Sequence, residues 1–110
     1  QSKLFAAATR LGIALSAYCP LAKGLIFGDP VIKTLAAKYD RSEAQIILRW
    51  IVQKGVSANP MSTKPENLRA NLEALNFNLS APDSAAIDRL GEKGLRIVDK
   101  DRMPIAPEWD

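Results

Sequence analysis

The sequence has 110 residues, a hydrophobic fraction of 47% and a formal net charge of +3, which allow one small hydrophobic core and no second domain. A single cysteine excludes an internal disulfide, and the absence of histidine argues against a zinc cluster. No run approaches the roughly 18 apolar residues of a membrane span, and the N-terminus lacks the pattern of a secretory leader, so we expect a cytoplasmic protein. The charges are spread along the chain, which favours an ordinary solvated surface over a nucleic-acid-binding one.

The first predicted element is a helix capped by Ser2 that continues to about Arg10 and ends at Gly12. Its apolar face is formed at helical spacing by Leu4, Ala7, Ala8 and Leu11. Because the chain begins at Gln1, without an initiator methionine and part-way into this helix, we expect it to be a piece of a longer protein.

A short buried strand is predicted from Ile13 to Tyr18, where apolar residues alternate between a glycine and a proline. The next segment, Cys19 to Gly28, is rich in turn residues and is predicted to be a loop. Asp29 and Pro30 then provide the N-cap and first position of a helix that continues to about Tyr39.

The central helix is predicted by the capping-box spacing of Ser42 and Gln45, after a turn at Asp40 and Arg41, and it ends before Gly55. Its apolar stripe is formed by Ala44, Ile47, Leu48 and Ile51.

A second strand is predicted from Val56 to Pro60, followed by a helix that Pro65 begins. Thr63 and Glu66 have capping-box spacing at the start of that helix.

Ser80 begins a last helix, which continues to about Leu90. The tail from Gly91 to Asp110 is predicted to be irregular, with Ile105 and Trp109 packing on another part of the protein.

Helices alternating with strands predict an α/β fold with a parallel sheet and right-handed crossovers. Two parallel strands are not stable alone, whereas a (β/α)₈ barrel has eight strands and about 250 residues. We therefore expect residues 1–110 to be the C-terminal segment of one (β/α)₈ (TIM) barrel domain, with the last two strands and their helices, and the missing strands to precede Gln1.

The working face of such a barrel lies at the carboxyl ends of its strands, and phosphate groups often bind the loops after the last two. In the first loop an aromatic ring could stack on a heterocycle while backbone N–H groups and a lysine meet phosphate oxygens. The residues of this loop are Tyr18, Cys19, Pro20, Leu21 and Lys23. The alternative is that Tyr18 simply closes the core.

The second loop places Ser62, Thr63 and Lys64 directly before a helix, where hydroxyls, an ammonium group and free N–H groups could hold an anion. The alternative is ordinary helix capping by Thr63.

Catalytic groups are not evident in the sequence. Cys19 has no histidine to serve as its base and is interpreted as a small packing residue. The carboxylates are interpreted as helix-start charges and solvated faces rather than an acid and base pair; they are Glu66, Glu73, Asp83 and Asp88.

The motifs SAYCPLAKG (16–24) and NPMSTKPENLRANL (59–72) resemble segments that follow the seventh and eighth strands of aldo-keto reductases. Residues 29–56 are similar to the helical segment between them, and the ending APEWD is similar to the bacterial diketogluconate reductase branch.

The resemblance implies a barrel that binds NADPH, with NADH as the alternative, and reduces a small aldehyde or ketone substrate. Tyr18 would stack on the nicotinamide. Cys19, Pro20, Leu21 and Lys23 would line the pyrophosphate, and Ser62, Thr63, Lys64, Asn67 and Asn71 would surround the adenosine and its 2′-phosphate.

Two positions depart from the family pattern, because Met61 stands where a lysine is common and Asn67 where an arginine is common. We therefore predict weaker NADPH binding than the family norm, with a steep salt dependence if Lys64 supplies the charge.

The family's catalytic aspartate, tyrosine, lysine and histidine all lie before the matched part, so the 110-residue chain alone is predicted to be inactive. The tail near Trp109 could reach the substrate. The full-length protein is expected to be monomeric, with no nucleic acid or membrane partner.

Two other functions are open at this point. One is a non-catalytic relative that binds the nucleotide and senses redox state. The other is a DNA-binding helix-turn-helix formed by residues 29–39 and 43–54, although Glu43, Gln45, Arg49, Gln53 and Lys54, taken as exposed, carry little net positive charge.

Overall fold

A computed structural model describes residues 1–93 and 104–105. The helices and strands follow the order predicted from the sequence. They are α1 (Ser2–Leu11), β1 (Ser16–Ala17), α2 (Pro30–Tyr39), α3 (Glu43–Gln53), β2 (Ser57–Ala58), α4 (Pro65–Glu73) and α5 (Ala81–Leu90). Single 3₁₀ turns occur at Ala22–Gly24, Ala74–Asn76 and Gly91–Lys93.

The sheet is a parallel pair in which Ser16 lies opposite Ser57 and Ala17 opposite Ala58. This confirms an α/β fold with parallel strands. Both strands are shorter than predicted, and Ile13, expected in a buried strand, is 57% exposed. A strand needs neighbours on its edges and cover on its faces, and the described residues supply β1 and β2 with one neighbour each.

The core lies among the helices behind this sheet. Ile32 of α2 and Ile46 of α3 are fully buried, and around them pack Leu35, Ile47, Ile51, Leu79 and Ile87. Ile46 was not part of the predicted apolar stripe of α3. It is buried because α3 is covered on more than one side, by α2 and by α4 with its 3₁₀ turn.

Three helix starts are as predicted. The Asp29 carboxylate accepts a hydrogen bond from the Val31 N–H ahead of Pro30, and Ser42 and Gln45 form a reciprocal capping box. The hydroxyl of Ser80 caps α5 by accepting from the Asp83 N–H.

Two predicted caps are wrong. The N-cap of α1 is Gln1 rather than Ser2, and the N-cap of α4 is Lys64 rather than Thr63, with no side-chain capping bond at either. Proline occupies the first position of α4, so the residue before it becomes the cap, one position later than the capping-box spacing suggests.

Gln45, expected on an exposed surface, is 6% exposed. Its side-chain amide donates a hydrogen bond to the carbonyl of Ala70 at 2.9 Å while its oxygen serves the capping box. Both the nitrogen and the oxygen of this buried side chain thus have hydrogen-bond partners, and Gln45 joins α3 to α4.

The apolar face of α1 is mostly uncovered: Ala8 is buried, but Leu4 and Leu11 are 44% and 62% exposed. On α4 and its 3₁₀ turn, Leu68, Leu72 and Leu75 are also exposed. The expectation that Ile105 packs on another part of the protein is wrong within the described residues, where it is exposed, and Trp109 lies outside them. None of the helices in the described part of the chain is both long and apolar enough to span a bilayer.

Candidate functional site

The two faces of the short sheet differ in chemistry. Ala17 and Ala58 pack against the helical core, and side chains alternate along a strand. The opposite face therefore carries Ser16 and Ser57, followed at the carboxyl ends by Tyr18 and Asn59. Polar and aromatic groups from both strands thus collect on the face that the described helices leave open.

An open groove of about 590 Å³ lies at the carboxyl ends of the two strands. Its lining is mainly apolar with a few polar groups, as in sites for small molecules. It is lined by Ser16, Ala17, Tyr18, Cys19, Pro20, Leu21, Lys23, Asn59, Pro60 and Met61. The structure thus brings all five proposed residues of the first loop together, with the beginning of the second.

The first loop has an unusual backbone. Cys19, Ala22 and Lys23 have φ values of 48°, 50° and 52°, in the left-handed region that non-glycine residues rarely adopt. Successive turns from Cys19 to Asp29 hold the loop in this shape, with hydrogen bonds such as Ala22 N–H to Cys19 C=O. The left-handed residues change the direction of the chain, and the turn hydrogen bonds give the loop a defined shape at the edge of the groove.

Tyr18 is 79% exposed, so it does not close the core within the described structure. A hydrogen bond with the side chain of Cys19, together with the charge of that thiol when ionised, raises the pKa of the Tyr18 phenol above its usual value. The ring is therefore neutral near pH 7 and offers an uncharged aromatic face beside the groove.

The far end of this loop is attached to α3. The Gly28 N–H donates a 2.7 Å hydrogen bond to the carboxylate of Glu43, and Leu21 and Ile26 pack against the core. Gly28 has a φ of 88°, a conformation that favours glycine. A charged acceptor makes this a strong hydrogen bond, so Glu43 fixes where the loop joins α2.

The second loop leaves the groove after Met61. Ser62 is partly buried and its hydroxyl accepts a hydrogen bond from the Lys64 N–H at 3.2 Å. Thr63, Lys64 and Asn67 are exposed, whereas Asn71 is partly buried on α4. Ser62, Thr63 and Lys64 thus precede α4, Asn67 lies in its first turn and Asn71 in its last, and none of these five predicted residues lines the groove.

Ser16, Ala17, Asn59 and Pro60 line the groove without having been predicted to do so, and Met61 was named only as a departure from the family pattern. Ser16 could have been predicted, because it alternates with Ala17 along the strand and therefore lies on the same face as Tyr18. Asn59 had no such signal, because its position depends on the register between two strands 40 residues apart.

The carboxylates of Asp83 and Asp88, both on α5, form bonds to other elements of the fold. Asp83 accepts hydrogen bonds from Lys38 at 2.7 Å, from Tyr39 at 2.5 Å and from Ser80 at 2.7 Å, which together lower its pKa to about 2. Burial opposes ionisation of Asp88, but its bonds with Lys54 and Trp50 outweigh that effect and lower its pKa. Asp83 is thus a helix-start charge, as predicted, and Asp88 is exposed, but both also bond to side chains of α2 or α3.

The helix pair α2 and α3 has little free surface for reading DNA. Gln45 is buried, and Arg49 bonds to Gln53 and to Asn78. The side chain of Gln53 also donates a hydrogen bond to the Leu79 carbonyl and accepts one from the Leu79 N–H. The polar groups of the second helix are thus used within the fold, which argues against a recognition helix.

Parallel strands joined through helices, with an apolar groove at the carboxyl ends of the strands, define an α/β protein of the kind that binds ligands at this edge. Residues 1–92 match the Aldo/keto reductase family. The chain belongs to this family, in the branch that resembles diketogluconate reductases.

Individual relatives agree with this assignment. The chain is 43% identical over 108 residues to a methylglyoxal reductase, DkgB, from Escherichia coli O157:H7, with 98% of this chain and 39% of that protein covered. It also resembles a crystal structure of a Gox0644 variant in complex with NADPH, with a TM-score of 0.86, 31% identity and coverage of 94% and 38% of the two chains.

A third resemblance is to a structure assigned provisionally as a 2,5-diketo-D-gluconic acid reductase B. Its TM-score is 0.88 at 32% identity, and all of this chain aligns with 39% of that one. The chain therefore spans about two fifths of the length of these relatives.

Proposed function

We propose that this chain forms the C-terminal part of a (β/α)₈ barrel in an NAD(P)H-dependent reductase of small aldehydes or ketones. The observation that carries the proposal is the groove at the ends of β1 and β2, bounded by an exposed, neutral Tyr18 ring and by Lys23. The alignment of all of this chain with 39% of a longer chain supports its being part of a larger fold. So do the uncovered apolar faces of α1 and α4, which further strands would bury.

The residues present fit a nicotinamide dinucleotide. Tyr18 offers a flat face for a heterocycle, and the left-handed loop from Cys19 to Lys23 offers backbone N–H groups and an ammonium group for phosphates. Ser62, Thr63 and Lys64 precede the start of α4, which has no side-chain cap and would favour a further anion. Asn67 and Asn71 complete the proposed adenosine side.

The cofactor supplies the hydride when bound. The residues of this chain bind and orient it: Tyr18 fixes the plane of the nicotinamide, and the first loop fixes the pyrophosphate. The protonation of the carbonyl oxygen belongs to residues outside the chain, so we expect the 110 residues alone to give no turnover.

Met61 and Asn67 stand where cationic residues are common in the family. Lys64 is therefore the main positive charge for a 2′-phosphate, and Arg69 lies further along α4. A lysine acts as a point charge and is exposed here, so its contribution is screened by salt. We therefore propose that NADPH is preferred over NADH only modestly, and less so as ionic strength rises.

The test is oxidation of NADPH and of NADH by the full-length protein with methylglyoxal, the substrate in the name of the E. coli relative. We expect turnover with both cofactors, and an NADPH advantage that falls in Lys64→Ala and at high salt. Lys3→Ala, on α1, is the matched control and should leave the ratio unchanged. Binding without turnover on any small aldehyde or ketone would favour a redox-sensing role, and absence of binding to either nucleotide would overturn the proposal.

A further inference from the structure

One hydrogen bond connects the starts of the two loops that form the proposed cofactor site. The side-chain amide of Asn59 donates to the hydroxyl of Ser16 at 2.7 Å. Ser16 lies in β1, two residues before Tyr18, and Asn59 directly follows β2, two residues before Met61. Both side chains line the groove.

Few backbone hydrogen bonds join β1 to β2. Each strand has two residues, and the ladder is extended by the Ser57 N–H bonding to the Leu15 carbonyl at 3.0 Å. The pair ends where the loops begin, because Tyr18 and Asn59 lie beyond the last paired residues. A side-chain bond at that end therefore adds a substantial share of what fixes the lateral spacing of the two loops.

The bond is also suited to its place. Ser16 and Asn59 lie on the sheet face opposite the helical core, where both are exposed in the described structure. Ser57 lies directly opposite Ser16 on the same face, and in the described structure its hydroxyl has no hydrogen-bond partner. The sheet thus carries one serine that links the loops and one that does not.

We propose that Ser16 and Asn59 are positioning residues of the cofactor site, which hold the Tyr18 loop and the Met61–Lys64 loop at the separation needed to bind both ends of the nicotinamide dinucleotide. The inference rests on the proposed function. Neither side chain takes part in hydride or proton transfer; each acts through the loop that it anchors.

The test compares Ser16→Ala, Asn59→Ala and their double variant with Ser57→Ala in the full-length protein. NADPH affinity is measured by fluorescence titration, and KM and kcat by steady-state kinetics. Loss of one such hydrogen bond predicts a rise of about three- to tenfold in the NADPH dissociation constant for each single variant, with kcat within about twofold of wild type.

Because the two residues act through one bond, the double variant should bind about as weakly as either single variant. Ser16→Thr keeps the hydroxyl and should recover affinity, whereas Ser57→Ala should match wild type. Thermal unfolding of every variant checks that the fold is intact. Ser16→Ala and Asn59→Ala remove the same bond from its two ends, so if one of them fails this check the other carries the test, and if both fail, Asn59→Leu, which keeps the size of the side chain, replaces them.

Two results are distinguishable as failures. If the wild-type protein binds neither NADPH nor NADH, the proposed function is wrong. If it binds them and Ser16→Ala behaves like Ser57→Ala, or if the two single effects add fully, the positioning role of this pair is wrong and the proposed function stands.

Discussion

The helical layer and the strand edge of this protein are built differently. Between α2, α3 and α5 the apolar side chains are buried and the polar ones are bonded across elements, as Gln53 is to Leu79 and Lys38 to Asp83. At the strand edge the ladder is two residues long and the large side chains, such as Tyr18 and Met61, are exposed. The helices thus carry the stability of this segment, and the strand edge carries the groups that we propose to bind the cofactor.

The contrast also bears on the first loop, from Cys19 to Gly28, whose backbone conformation is unfavourable at three residues. Three non-glycine residues in left-handed conformations cost on the order of 1 kcal/mol each. Leu21 and Ile26, packed on the helical core, and Glu43, bonded to Gly28, hold the loop from behind. The packed helical layer therefore helps to hold the loop in this conformation.

The largest expected effect belongs to the helical layer. Ile46→Ala removes a fully buried side chain of α3 and should lower the free energy of unfolding of the full-length protein by about 2 to 5 kcal/mol. Ile105→Ala makes the same chemical change at a residue that is 89% exposed and should cost less than about 0.5 kcal/mol. Urea denaturation measures both, and equal losses would contradict the division between the two regions.

The next effect belongs to the strand edge. Tyr18→Ala removes the exposed ring and should raise the NADPH dissociation constant about tenfold or more, since stacking on an aromatic ring contributes about 1 to 3 kcal/mol. Tyr18→Phe keeps the ring and should bind within about twofold of wild type. Unfolding midpoints should be nearly unchanged in both variants; a large loss of stability would place Tyr18 in the core instead.

A smaller effect tests the connection between the regions. Glu43→Ala removes the acceptor of the Gly28 N–H, and hydrogen exchange at residues 26–29 should accelerate by about two- to tenfold. Glu73→Ala, on the exposed surface of α4, is the matched control and should leave this segment unaffected. Unchanged exchange in Glu43→Ala would show that apolar packing alone holds the loop.

The smallest effect concerns charge within the helical layer. The pKa of Asp83 is about 2 in the folded protein, below its ordinary value of 3.8, so the ionised carboxylate stabilises the fold above about pH 4. That contribution is lost as the pH falls towards 2. Asp83→Asn should therefore melt below wild type at pH 7, and the gap should close between about pH 4 and 2. A gap independent of pH would mean that the loss is one of packing. Glu92→Gln, on the exposed turn after α5, is the control for charge alone.

The sequence by itself determined the order of elements, the start of α2, α3 and α5, and the two loops that follow the strands. These features depend on residues close together in the chain, such as Ser42 with Gln45 or Asp29 with Pro30, so local hydrogen bonds decide them. The family was also evident locally, in the motifs at 16–24 and 59–72.

Only the tertiary structure decided which side chains meet. It buried Gln45 against Ala70, gave Asp83 its partners on α2, and aligned Asn59 with Ser16 across the sheet. It also shortened the strands, against the expectation drawn from their apolar patterns, and left Tyr18 exposed instead of closing the core. The physical reason is the same in each case: burial and strand pairing depend on residues far apart in sequence, and periodicity shows which face is apolar but not what covers it.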